Sequence, residues 1–373
     1  MVTATSPSET VFASDWSRSL KLLIHVGTEK TGSSYLQKLC GKNRRFLRDC
    51  GFWFPTAGRH ERRLQRGTIS PGNADELAGY IRDLNWAKVS SWLLARVEEA
   101  QERGCKSLLL SNELLFAALS NSGAVNRFQS AAMRAGINEL SSLLMIRDPI
   151  GQALSLYKHR AKSGTAGNVE EWLATGYFLP KQLSDFLGQI DHSDIQLHLR
   201  KYAKESGSVL SVFFHDWLGV ETPPVRIENR VNPSLSLSEL AVIRHVVATR
   251  PKDHCAFYSN FQSVSVDKKA GDGSVERLAT AHVESYLCQF NEFWKELDAR
   301  LASDGGLNVP QKVNFVDVSV PEYIFSEAQL RGWMNAHAES SSRRYAVHWW
   351  VNSNLRPRIG KLIRRFVPRF RQG

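Results

Sequence analysis

The sequence predicts an α/β protein, a parallel β-sheet flanked by helices, followed by a helical C-terminal part and a basic tail. Three observations lead there. Strand-like and helix-like segments alternate from about residue 20 onward, which is the pattern of a parallel sheet with helices on both faces. The first apolar strand, Leu22-Leu23-Ile24-His25-Val26, runs directly into the polar turn Thr28-Glu29-Lys30-Thr31-Gly32-Ser33-Ser34-Tyr35-Leu36-Gln37, which opens a helix. A second apolar run, Leu143-Leu144-Met145-Ile146, ends abruptly in Arg147-Asp148-Pro149.

Taken in order, residues 1–19 are polar and read as a loose leader, residues 20–320 as the main domain and residues 321–373 as a basic amphipathic extension. A strand over Lys21 to Val26 precedes a helix from Gly32 to Cys50. A Gly-, Pro- and Arg-rich stretch from Phe54 to Glu76, with His60, Arg62, Arg63 and Arg66, reads as a long loop of the kind that borders substrates. An amphipathic helix near Leu84 to Arg103 and a strand over Ser107 to Leu110 follow. After the run ending at Ile146, Pro149 stands at a first helical position. The glycines between Ala161 and Phe186 predict an irregular segment. A strand over Ile195 to Leu199, a helical segment from Val209 to Leu218 and a helix from Ser238 to Thr249, capped by Ser238, complete the pattern. The remainder to about Leu301 reads as amphipathic helix.

Composition narrows the class of partner. The chain has 373 residues, 42% of them hydrophobic, enough for a sizeable core, and a formal charge of +11. Such a charge favours acidic ligands. No zinc-finger spacing, RNA-binding aromatic motif or basic heptad region is present, so no specific nucleic-acid partner is expected. The five cysteines, Cys40, Cys50, Cys105, Cys255 and Cys288, are scattered and form no C-x-x-C pair, which argues against a structural metal or disulfide framework. With no readable export signal, a cytoplasmic enzyme is expected. From Arg343 to Gly373 the tail has nine Arg/Lys and no acid, interleaved with aromatic and aliphatic residues, and is the candidate contact to the inner face of a membrane or to a polyanion.

The turn after the first strand has the chemistry of an anion cradle. Amides left open at a helix N-terminus point at a bound phosphate, Gly32 lets the backbone approach it, and Lys30 adds a full positive charge. A Walker A loop places lysine after its second glycine, G-x-x-x-x-G-K-S/T. Here Lys30 precedes Gly32, and Thr31, Ser33 and Ser34 surround it. That order resembles the 5′-phosphosulfate loop of sulfotransferases, P-K-S/T-G-S/T-S/T, with Glu29 in place of the proline. Arg147-Asp148-Pro149 followed by Ser155 is similar to the family's 3′-phosphate motif. Phe213 to Val220 and Arg230-Val231-Asn232-Pro233-Ser234-Leu235-Ser236 are also similar to family segments, so the likeness runs from about Leu20 to Val247.

The resemblance implies a P-loop-like sulfotransferase fold and a bacterial-type enzyme that uses 3′-phosphoadenosine 5′-phosphosulfate (PAPS) as donor, with no metal. It implies donor contacts from Lys30, Thr31, Gly32, Ser33, Ser34, Tyr35, Arg147, Ser155 and Arg230, with Lys30 beside the leaving phosphate oxygen. The base is expected at Glu113, which follows the strand Leu108-Leu109-Leu110; His60 is a second candidate, and His25 reads as a satisfied core histidine. The accepting group is expected to be a hydroxyl or an amine, on a saccharide, glycolipid or other hydroxylated molecule, with positive charge tilting towards acidic saccharides. Two other readings stay open: a P-loop nucleotide kinase or NTPase, and a non-catalytic polyanion-binding module.

Overall fold

The computed structural model describes residues 20–56, 72–162, 166–202, 209–225, 235–249 and 273–307. Leader residues 1–19, loop residues 57–71 with His60, the stretch holding Arg230, and the 321–373 extension lie outside the described residues. Those that are described form two compact units. The first takes in the described residues within Met1–Gln152, Phe178–Asn229 and Leu287–Gln311, the second those within Ala153–Tyr177, Arg230–Tyr286 and Lys312–Gly373.

The first unit is an α/β sheet structure. Strand β1 (Leu20–His25) is followed by helices α1 (Ser33–Lys42) and α2 (Arg44–Asp49) and the short strand β2 (Phe52–Trp53). Helices α3 (Asp75–Arg82) and α4 (Trp86–Glu102) lead to β3 (Ser107–Ser111), then α5 (Leu114–Leu119), α6 (Ala124–Arg134) and β4 (Ile137–Ile146). Helix α7 (Pro149–Ala161) carries the chain into the second unit, which holds α8 (Val169–Gly176). Helix α9 (Leu179–Ile190) and β5 (Gln196–Lys201) belong again to the first.

All five strands among the described residues are parallel, in the order β2-β3-β1-β4-β5, an arrangement compatible with a P-loop-like fold. β1 is central. His25 pairs with Ser111 of β3 on one side and Leu143 of β4 on the other. The chain leaves β1 towards β3 first and crosses to β4 later, so the carboxyl end of β1 is the switch point where an open parallel sheet collects its ligands.

Burial explains why these segments are strands. Leu22, Leu23, Ile24, Leu108, Leu109, Leu110, Leu143 and Leu144 are all buried, the continuous apolar reading of strands covered on both faces. On one face Leu23, Leu109, Leu143 and Met145 pack with Leu36, Leu39 and Cys40 of α1, Leu47 of α2, and Phe213, Phe214 and Trp217. The last three come from a π-helical turn, Ser211–Trp217, where a helix was expected, and Trp217 Nε1 donates to Ser141 Oγ at 3.0 Å. Helices α4 and α6 lie against β3 and β4 and contribute nothing to that cluster, so they cover the other face.

Two local expectations change in the first half of the chain. The helix expected over residues 32–50 is broken at Asn43, whose side-chain amide donates to Leu39 O at 2.9 Å and to Val225 O at 3.0 Å, while its Oδ1 accepts from Val225 N at 3.1 Å. An asparagine that serves a distant segment in this way competes with the helix it interrupts. The segment over 161–186, expected to be irregular, contains all of α8 and the start of α9. Asn168 caps α8 by accepting from Glu171 N at 2.8 Å, and Pro180 sits in the first turn of α9. These start signals set the local structure despite the glycines around them.

The second unit also holds helices α10 (Leu237–Thr249) and α11 (Gly273–Leu287), while α12 (Asn291–Arg300) returns to the first. Ser236, not Ser238, caps α10. Its hydroxyl accepts from Glu239 N at 3.2 Å while Glu239 Oε2 accepts from Ser236 N at 2.8 Å, a reciprocal capping box. Inside the unit, Arg244 Nη1 donates to Tyr157 Oη and to Gly167 O, and Tyr157, Trp172, Tyr177 and Tyr286 form successive ring contacts. Among the described residues no helix is long and apolar enough to cross a membrane.

Candidate functional site

The loop after β1 climbs along the last residues of β4. Val26 N donates to Leu143 O at 3.1 Å, Thr28 Oγ1 donates to Met145 O at 3.2 Å, and the buried Gln152 donates from Nε2 to Glu29 O at 3.2 Å. These bonds tie the chain on either side of Arg147 to residues 26–29. The two motifs singled out in the sequence therefore sit side by side, at the carboxyl ends of adjacent strands.

The turn itself is built tightly. Thr31 is buried and its hydroxyl donates back to Thr28 O at 2.6 Å. Lys30 and Gly32 both take left-handed backbone conformations, with φ of 71° and 82°. For glycine this is free; for lysine it costs roughly 1–2 kcal/mol. Leu84 is the only other non-glycine residue among those described with positive φ. Strain of this kind persists where surrounding structure enforces it, and it concentrates at ligand clamps. A Cβ at position 32 would also press on the Tyr202 ring at 3.2 Å.

Gly32 is the N-cap of α1 and supplies no capping side chain, and no acid stands in the helix's first turn. The amides of Ser33 and Ser34 therefore keep the positive end of the helix open to an anion. Ser33 is buried, with its Oγ unpartnered; Ser34 is exposed; Tyr35 is half-buried and its N–H turns back to Gly32 O at 2.9 Å.

Arg147 follows β4 as expected, with its side chain about a quarter exposed. Its Nε lies 3.6 Å from Asp148 Oδ2. Asp148 in turn caps α7, accepting from Gly151 N at 2.7 Å. A Cβ on Gly151 would stand 2.6 Å from Asp148 Oδ2 and 3.0 Å from Arg147 Nη2, so glycine makes room for both charged groups. Ser155 lies on α7, in the second unit, and Arg230 is outside the described residues.

Glu113 stands two residues beyond the end of β3 and is half-buried. Helix α5 behind it is capped by Asn112, whose Oδ1 accepts from Leu114 N at 2.7 Å, and Glu113 makes no capping bond. Lys30, Arg147 and Glu113 thus follow the carboxyl ends of β1, β4 and β3, three neighbouring strands.

The sequence reading missed the buried polar residues around this crevice. Asn73 acts as a missing strand beside β3: its Nδ2 donates to Leu109 O at 2.9 Å, its Oδ1 accepts from Ser111 N at 2.8 Å, and its own N–H donates to Ser111 O at 3.2 Å. Next to it Gly72, with φ of +106°, packs so closely on β3 that a Cβ would meet Ser111 O. His25 is buried at the end of β1. Its Nδ1 shares a 2.8 Å hydrogen bond with Ser111 Oγ, Phe213 meets its ring edge-on, and burial pushes its pKa down to about 3. It is not the satisfied core histidine expected, since its Nε2 has no partner. A surface groove of about 600 Å³ runs along α3 and α5, lined in part by Tyr80, Asp83, Leu114 and Asn121, and no residue of the loop lines it.

No family model, no curated protein and no solved structure matches this chain.

Proposed function

We propose that this chain is a PAPS-dependent sulfotransferase that transfers a sulfuryl group to a hydroxyl of an acceptor such as a saccharide or glycolipid. One observation carries the reading: the Lys30 turn and Arg147 follow adjacent strands and are tied together through Thr28, Met145, Gln152 and Glu29. Two cationic side chains at one switch point suit a ligand with two separated anionic groups. The buried, unpartnered Ser33 hydroxyl and the open N-terminus of α1 fit the 5′-phosphate end of such a donor.

When bound, the donor supplies the activated sulfuryl group. Transfer to a hydroxyl builds negative charge on the departing phosphate oxygen and releases one proton, by analogy with phosphoryl transfer. Lys30 and the first-turn amides of α1 stabilise that charge as fixed donors. Glu113, two residues beyond the end of β3 and beside the strand that leads to Lys30, takes the proton. Arg147 leaves Asp148 to clamp the 3′-phosphate, a charge-assisted contact that a guanidinium makes with two parallel hydrogen bonds.

Thermal-shift measurements test this directly. Protection by adenosine 3′,5′-bisphosphate without magnesium supports the reading. Protection by Mg-ATP alone would replace it with a nucleotide kinase or NTPase, and protection by neither would leave a polyanion-binding module.

A further inference from the structure

Five buried side-chain atoms without a hydrogen-bond partner gather under α1 at the ends of β1 and β3: His25 Nε2, Ser33 Oγ, Gln37 Nε2 and Oε1, and Asn112 Nδ2. Buried polar atoms are rarely left unpaired, and each such group calls for an explanation. Two of them meet at the cradle. A Cβ on Gly27 would stand 2.6 Å from Ser33 Oγ and 2.9 Å from His25 Nε2, so the hydroxyl and the ring nitrogen flank the same bare α-carbon. The imidazole has no freedom to turn away. Ser111 holds Nδ1 at 2.8 Å, Phe213 packs on the ring edge, and the residue is 1% exposed. Ser33 stands at the first position of α1, 1% exposed, and its hydroxyl, bonded to nothing in this structure, is the group that can rotate towards the ring nitrogen.

We propose that His25 is a positioning residue of the anion cradle, the middle of a chain of hydrogen bonds that runs from Ser111 through the imidazole to the Ser33 hydroxyl and ends on the bound anion. With the anion bound, Ser111 O–H donates to Nδ1, Nε2–H donates to Ser33 Oγ, a bond not made in this structure, and Ser33 O–H is left to donate to a phosphate oxygen. Every donor points towards the anion, so each bond polarises the next. The ring stays neutral throughout, as its burial in an apolar and hydroxyl-lined site requires. Gly27 belongs to the same device, since any side chain there would separate the two atoms. The inference rests on the anion-cradle reading of the Lys30 turn.

The test is calorimetric titration of the full chain with adenosine 3′,5′-bisphosphate, without magnesium, for the wild type, His25→Asn, His25→Gln, Ser33→Ala and the His25→Asn/Ser33→Ala double variant. Asparagine places its amide near the Nδ1 position and loses the Ser33 link; glutamine reaches the Nε2 position and keeps it. His25→Asn should weaken binding by roughly three- to tenfold, the size of one hydrogen bond between neutral groups. His25→Gln should recover most of that loss, and the double variant should bind no worse than Ser33→Ala. In the unmodified protein, ¹⁵N spectra of the imidazole should show a protonated Nε2 whose resonance moves on adding the nucleotide, a readout that needs no variant to fold. Wild-type binding with His25→Asn unchanged, losses that multiply in the double variant, or an Nε2 resonance indifferent to ligand would overturn the inference alone. Absence of wild-type binding would overturn the donor reading and the inference with it.

Discussion

The buried imidazole of His25 makes stability depend on pH in a way that can be calculated. Its pKa is pushed down to about 3 in the folded chain, against 6.5 for an ordinary histidine. Between those values the unfolded chain binds a proton that the native one refuses, so stability rises with pH and is lost as pH falls below about 6.5. Above pH 6.5 both states are neutral and the term vanishes. One proton per molecule corresponds to 1.36 kcal/mol per pH unit. From pH 8 to pH 5 the wild type should therefore lose roughly 2 kcal/mol through this group, and by pH 4 roughly 3 kcal/mol. Other groups titrate as well, including the half-exposed His198, whose pKa is lowered by burial and by Arg200 and Lys21. His25→Gln removes the one term and leaves the rest, so urea unfolding of both proteins at pH 8, 6.5, 5 and 4 isolates it. The variant starts less stable, and the gap between the two should close as the medium is acidified. Parallel stability curves over that range would refute the account of His25 as a neutral, desolvated ring.

Four further perturbations address the site and its supports. Lys30→Gly should abolish sulfuryl transfer with a melting temperature close to wild type, because relief of roughly 1–2 kcal/mol of left-handed strain is offset by the added freedom of glycine in the unfolded chain; undiminished turnover would remove Lys30 from the reaction. Arg147→Ala should raise the donor KM by roughly ten- to a hundredfold with little change in kcat, from loss of a contact worth ~1.5–3 kcal/mol, and steady-state kinetics at varied donor concentration would expose an unaltered KM. Glu113→Gln should lower kcat and flatten the acidic limb of the pH–rate profile while nucleotide binding, measured by calorimetry, stays as it was. Asn73→Ala should destabilise the first unit by roughly 2–4 kcal/mol, since it strips partners from a buried N–H and a buried carbonyl of β3, and urea unfolding would reveal a loss below 1 kcal/mol as contrary.

Much of the architecture was legible because parallel strands buried on both faces announce themselves as apolar runs. Leu22 to Ile24, Leu108 to Leu110 and Leu143 to Ile146 needed no context to be placed. The ends of those runs were legible for the same reason: an apolar strand gives way to polar residues at Arg147 and at Asn112-Glu113. Hydrogen bonds between distant segments were not legible. Asn43 reads as one more helical residue until Val225 is set beside it, and Asn73 reads as loop until the short β2 leaves the outer edge of Leu109 to Ser111 without a strand. Neither pairing has a local sequence signal, because the separation is 182 residues in one case and 38 in the other.

His25 shows where the boundary between the two kinds of information falls. Strand alternation places it on the same face as Leu23, and an imidazole on a core face is most economically read as packed and satisfied. What that reading lacked was the far side of the ring. Ser111 comes to Nδ1 only through the β1–β3 register, and Ser33 comes to the neighbourhood of Nε2 only because Gly27 omits a side chain between them. A buried neutral histidine with one nitrogen held and the other idle beside an anion cradle is a poor use of a core position, since the idle nitrogen forgoes a hydrogen bond and any aliphatic residue would pack at lower cost. The proposed sulfuryl transfer would give that nitrogen a task, holding the Ser33 hydroxyl with its proton towards the donor while charge builds on the phosphate. If the cradle bound nothing, replacing His25 and Ser33 together by Leu and Ala would be expected to stabilise the fold at neutral pH; if it binds the donor, the same pair of changes should cost affinity whatever it does to stability, and a calorimeter separates the two outcomes.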